Sequence, residues 1–182
     1  MSHRITLQVD DVTSIDNFDG SEVIITPSFV FFWQPPATFG QWTPSIFEVD
    51  GVMYSCAEQF MMAEKARLFG DTGMEQQILE ASSPKTHKAL GRKVRNFDRG
   101  VWEQHRLDIV VRGNLAKFQQ NPGMLRELCE TGTRELVEAS PMDKIWGVGL
   151  RGDNPQITDK ENWKGLNLLG EALMRVRDEL CS

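Results

Sequence analysis

The run FEVDGVMYS (47–55), continuing directly into CAEQFMMAEKARLF (56–69), constrains this chain more than any other stretch. β-Branched and aromatic residues flank Asp50-Gly51, a dipeptide that accepts the positive φ angles of a two-residue hairpin turn. The pattern changes to helical spacing at Ser55, which is expected to open the first helix. The chain should therefore be strand-rich before this junction and helix-rich after it. ITLQV and EVIITPSFVFFW fit the first half, with Asn17, Asp19 and Gly20 as turn residues between them. QPPATFGQWTPSI, with three prolines and a glycine, is a loop. In the second half, Ser83-Pro84 has the form of an N-cap and first helical residue before KTHKALGRKV. A long helix is expected from Trp102 to Gln119, and a short one over MLRELCETG that closes at Gly132. ELVEAS and KIWGVGL read as short extended segments. The last helix lies in GLNLLGEALMRVRDEL, with Leu168, Leu169, Ala172, Leu173 and Val176 as its buried stripe. The fold class is α+β: a helix-dominated domain with a small strand-rich N-terminal portion.

Within the first helix, Glu58 and Lys65 stand seven residues apart, close to two turns, and so share a face with Met62 and Phe69. Charge embedded in an apolar stripe admits two readings. Ser55-x-x-Glu58 matches a capping box, and Lys65 could snorkel over Met61 and Met62. Alternatively, the two head groups converge on a small ligand group, since a buried charge without a partner is costly. An amine in an apolar wall has a lowered pKa. Such an amine can attack a carbonyl to form a Schiff base, with a neighbouring carboxylate moving protons.

The 182 residues, 40% hydrophobic, suffice for one ordinary domain. A net charge of −6 argues against a nucleic-acid grip spread over the whole surface. Cys56, Cys129 and Cys181 have no metal-ligand spacing and suggest no disulfide framework, which favours a reduced, intracellular, cytoplasmic setting. The polar N-terminus is no signal peptide, and no apolar run reaches membrane length.

Trp102, Trp146 and Trp163 lie near turns and read either as core fillers or as stacking platforms for a base. The glycines of WGVGL allow close backbone approach to a ligand. Asn167 stands at a helix start, either as an N-cap or as part of an anion site. Arg92, Lys93 and Arg95 form a basic cluster that is solvated or meets phosphates. His87 and His105 lack partners at metal spacing and read as structural or solvated. No P-loop, dinucleotide fingerprint or nucleophilic serine or cysteine motif is present.

Taken in order, FGQWTPSIF, DGVMYSCAEQFMMAEKARLF, SPKTHKALGRKV, W-x-x-x-R at Trp102–Arg106, KFQQNP, TGTRELVEASPMDKIWGVGL and W-x-G-L-N-L-L-G-x-A-L-M-x-V-R resemble the NADAR family, the YbiA-like N-glycosidases. The resemblance covers about residues 30–182 and leaves 1–29 as a strand-rich N-terminal extension. It implies hydrolysis of a ribose C1–N bond without metal or other cofactor. The substrate it implies is either ADP-ribose on guanine, in DNA or a nucleotide, or a phosphoribosylated intermediate of riboflavin synthesis. A third reading is a module that binds ADP-ribose without cutting it. Carried over residue by residue, Glu58, Lys65 and Asp143 are the expected catalytic residues. Phe39, Gln41, Trp102, Arg106, Trp146, Gly147, Gly149 and Asn167 are the expected substrate-binding residues. The expected partner is an ADP-ribose-containing substrate, including ADP-ribosylated DNA, with no membrane and no metal. The chain departs from the pattern at Val148, where members resembling the bacterial riboflavin-pathway enzymes carry Asp.

Overall fold

The computed structural model describes residues 3–181. In chain order its elements are β1 (Arg4–Thr6), β2 (Val23–Ile25), β3 (Phe29–Phe32), β4 (Phe47–Val49), β5 (Val52–Tyr54), α1 (Ala57–Leu68), α2 (Thr72–Glu80), α3 (Pro84–Gly91), α4 (Arg99–Gln120), α5 (Pro122–Glu130), β6 (Glu135–Glu138) and α6 (Leu168–Leu180), with a 3-10 turn at Lys160–Asn162. The α+β class holds. The elements divide between two compact units, one comprising residues through Thr43 together with those from Gly123 onward, the other Pro44–Pro122.

The first unit is built on a sheet of order β1-β2-β3-β6. The β2–β3 pair is antiparallel, whereas β1 runs parallel to β2 and β6 parallel to β3. The β2–β3 turn is fixed by Asp10, whose carboxylate accepts from the Ser28 amide at 3.0 Å and the Ser28 hydroxyl at 2.6 Å. Residues ahead of position 30 thus supply two of the four strands, so the N-terminal segment is woven into the sheet. Ile24, Phe29, Phe31, Val137, Val148 and Ile157 make the apolar core beneath it. The segment KIWGVGL, expected to be extended, is a run of bends instead. Its carbonyls are taken in succession by amides from Lys164 to Leu169, which leaves it no free edge for a strand partner.

α6 packs on β6. Its C-terminal end is tied to the end of α5 by a Cys129–Cys181 disulfide. That bond overturns the reading of three unpaired cysteines. A separation of 52 residues gives no spacing signal; the fold brings the two Cα atoms to 5.4 Å. Cys56 stays free and buried. The cysteine argument for a reduced compartment therefore loses its basis.

In the second unit the β4–β5 hairpin forms as expected, with Val49 opposite Val52 and φ of 52° at Asp50 and 79° at Gly51. Phe47, Tyr54 and Phe60 pack their rings 5.1–6.1 Å apart, joining hairpin to α1. α1 lies against α2, α3 and α4. Each of these three has a side-chain N-cap: Asp71 accepts from Met74, Ser83 from Thr86 and Asp98 from Val101. The Asp98 cap starts α4 at Arg99, ahead of the expected Trp102. Gly91 permits the close crossing of α3 on α1, since a Cβ there would stand 1.9 Å from the Met62 sulfur. Among the described residues no helix is long and apolar enough to cross a membrane.

Candidate active site

The capping box expected for Glu58 is not formed. The Ser55 amide and hydroxyl both donate to Oε1 of Gln59, at 2.8 and 2.9 Å, so Gln59 does the capping work. Cys56 is the N-cap residue and makes no side-chain cap bond. Glu58 is thereby released from helix-end duty and is only 3% exposed.

Lys65, two turns on, is half-buried. Its ammonium donates to the Gly91 carbonyl at 2.8 Å. It also lies 4.3 Å from the centre of the Phe97 ring and 5.5 Å from that of Trp102. Desolvation and then the Arg92 charge push its pKa below the ordinary lysine value, with Glu58 pulling the other way. The last effect places the carboxylate within electrostatic reach of the amine. Trp102 is 9% exposed. One turn along α4, Arg106 is largely covered, with Nη1 3.9 Å from Glu103. The second unit therefore gathers Glu58, Lys65, Trp102 and Arg106 around one helix pair. Phe97 and Gly91 belong to this surround and carried no sequence signal, because the packing of α3 and the loop before α4 brings them there. The basic cluster divides: Arg95 is bound twice to Asp71, at 2.8 Å each, while Arg92 stays exposed near Lys65.

Sequence reasoning also missed a buried polar group in this unit. Lys117 is wholly buried, and desolvation lowers its pKa to about 7. His87 is likewise buried, with Nε2 donating to the Ala81 carbonyl at 2.9 Å and Nδ1 3.8 Å from the Cys56 sulfur. That arrangement leaves Nδ1 as the acceptor for the thiol. The structural reading of His87 is right.

The remaining expected residues lie in the first unit. Phe39 packs on Phe32 at 5.4 Å and lines a cavity of about 270 Å³ with Arg4, Glu127 and Arg134. Gln41 is buried. Oδ1 of Asp143 accepts from the Ile145 and Trp146 amides at 2.9 and 2.8 Å, fixing the turn that presents half-buried Trp146. Gly147 is pressed against backbone, its absent Cβ 2.8 Å from the Glu138 carbonyl. Gly149 has φ of +69° and is flanked by the stems of Lys144 and Lys164. Asn167 occupies the N-cap position of α6 without capping it. Its amide donates to the Leu136 carbonyl at 2.9 Å and accepts from the Glu138 amide at 3.0 Å, clasping β6. Trp163 donates to the Ile157 carbonyl and packs edge-on to Phe29, which fits its core reading. Among the described residues no group of three or more His, Cys, Asp or Glu is placed to hold a metal.

The NADAR domain model matches residues 31–181. The chain belongs to the NADAR family. It is 47% identical over 146 residues to N-glycosidase R617 of Acanthamoeba polyphaga mimivirus, covering 78% of this chain and 86% of the relative. It is 30% identical over 156 residues to N-glycosidase Npun_R5314 of Nostoc punctiforme, covering 86% and 93%. The NMR structure of E. coli YbiA superposes with a TM-score of 0.70 at 24% identity, covering 94% of this chain and 92% of that one, and so shares the fold. This NADAR chain is an N-glycosidase. Its departure at Val148 has a structural counterpart: that side chain is fully buried in the sheet core.

Proposed function

We propose that the chain removes ADP-ribose from guanine by cutting the ribose C1–N bond. The observation that carries this reading is the α1 face, where a 3%-exposed Glu58 and a half-buried Lys65 of lowered pKa influence one another. A carboxylate and an amine in apolar surroundings suit a reaction in which a nitrogen base leaves a sugar carbon.

Glu58 hands a proton to the departing guanine nitrogen or assists opening of the ribose ring. Free-base Lys65 bonds to C1, and loss of the ring C–O bond gives an imine. Water then adds to C1, the amine leaves, and the sugar recloses as free ADP-ribose. One water is consumed for each base released. Phe97, Trp102 and the Gly91 carbonyl hold the amine in place. Arg92, exposed nearby, is suited to a phosphate oxygen.

The test is incubation with a guanine-ADP-ribosylated oligonucleotide and, in parallel, with a phosphoribosylated aminopyrimidine, with products identified by mass spectrometry. Release of intact guanine and ADP-ribose, with a borohydride-trapped adduct mapped to Lys65, is the expected result. Turnover of the aminopyrimidine alone would replace the substrate. Full turnover with no adduct on Lys65 would reduce that residue to an electrostatic part. Tight binding of ADP-ribose with no cleavage of either substrate would make the chain a binding module.

A further inference from the structure

Phe97 turns an aromatic ring toward a charge rather than into the core. The ring is 45% exposed, yet the Lys65 ammonium sits 4.3 Å from its centre. The loop that carries it, between α3 and α4, is tied on both sides. The Arg95 amide donates to Asp71 at 2.8 Å, Asn96 takes a φ of 55°, and Asp98 accepts from the Val101 amide at 2.8 Å. Phe69, just past α1, meets the ring in a T-shaped contact at 5.3 Å. The orientation of the ring toward the amine is therefore set by the fold. Trp102 adds a second ring at 5.5 Å, and the Gly91 carbonyl accepts an ammonium hydrogen at 2.8 Å. All of these groups lie in the second unit. Glu58 acts on the amine through its charge alone, and less than burial and Arg92 do.

We propose that Phe97 is a positioning residue of the reaction, its ring face, with Trp102, stabilising the protonated imine that Lys65 forms with the opened ribose. This rests on the covalent route proposed above. Free-base Nζ gives its lone pair to C1 as guanine leaves with the Glu58 proton. The secondary ammonium so formed returns one proton to the carboxylate. The nitrogen lone pair then expels the ring oxygen, which takes that proton in turn. Nζ is left with a double bond to C1, a positive charge and one hydrogen. An ammonium offers three hydrogens for bonding, the protonated imine one. The Gly91 carbonyl takes that one. A ring face attracts the cation through its quadrupole and asks for no hydrogen, so its attraction carries over from ammonium to imine. A carboxylate ion-paired in the same place would hold the resting lysine protonated, and unable to attack, far more firmly.

The experiment replaces Phe97 with mono-, di- and trifluorinated phenylalanine, which weaken the ring quadrupole stepwise at nearly constant shape, and adds Phe97→Tyr and Phe97→Leu. Two rates are measured on each folded protein. One is single-turnover formation of the borohydride-trapped Lys65 adduct with a guanine-ADP-ribosylated oligonucleotide. The other needs no such substrate: glycolaldehyde with cyanoborohydride, in mildly alkaline buffer, alkylates Lys65 through the same kind of protonated imine, followed by peptide mass spectrometry. Both rates should fall stepwise with fluorination, by about fivefold from phenylalanine to the trifluorinated ring. Phe97→Tyr should stay within about twofold of wild type, and Phe97→Leu should lose about tenfold. A fluorine series flat in either readout would overturn the proposal and leave Phe97 as packing alone, whatever Phe97→Leu does. If the wild-type chain gives no adduct with the oligonucleotide, the covalent route fails by itself. The glycolaldehyde series then decides the ring: a stepwise fall sustains its hold on the cation, and a flat series removes it.

Discussion

The face of α1 and the loop strip from Asp143 to Leu169 use the same polar residue types to opposite ends. On α1, Gln59 takes the Ser55 hydrogen bonds at the helix end, and Glu58 is buried one residue before it. In the loop strip, Asp143 and Asn167 hold backbone amides and carbonyls, and the glycines admit backbone to backbone. The same residue types thus meet a helix interior in one region and loop backbone in the other. Only the hydrogen-bond partners tell the two apart.

The contrast is sharpest at Glu58. Glu58→Gln should lower single-turnover cleavage roughly 10³–10⁴-fold while ADP-ribose affinity stays within about threefold. A loss below tenfold would put Glu58 with the architectural residues. Next in size is the disulfide. Reducing Cys129–Cys181, which closes a 52-residue span, should cost about 4 kcal/mol by loop entropy. Amide exchange should rise in α5 and α6 and stay constant in α1; an equal rise in both would erase the distinction between the regions.

Asn167→Ala removes two buried backbone bonds and should destabilise by about 2 kcal/mol in urea titration. Unchanged stability with a raised KM would instead make Asn167 a ligand contact. Per unit change of condition, the smallest effect concerns pH. Lys117 titrates near 7 when folded, against 10.5 for an ordinary lysine, so between those values the unfolded chain binds the extra proton. Stability should therefore rise with pH across that window. In Lys117→Met the slope should fall by up to about 1.4 kcal/mol per pH unit. An unaltered slope would mean that Lys117 does not titrate there.

Local signals were legible in the sequence. Asp50-Gly51 announced its hairpin, Ser83-Pro84 its helix start, and the Glu58–Lys65 spacing its shared face, because each depends on neighbours within two turns. What depends on tertiary packing was not. The Cys129–Cys181 bond, Phe97 and Gly91 around Lys65, and the burial of Lys117 arise from segments far apart in the chain. KIWGVGL misled because its apolar residues satisfy the strand pattern, while its carbonyls are claimed by the segment that follows. Asn167 stands where an N-cap would stand, yet its φ of 52° turns its side chain to β6.

The weaving of the N-terminal segment into the sheet bears on how the protein is expressed. A chain trimmed to begin at residue 31, where the family match starts, would lose β1 and β2 and cut into β3. The remnant of β3 would then keep β6 as its sole strand neighbour and present a raw hydrophobic margin, a surface prone to self-association. Recombinant versions should accordingly retain Arg4 onward.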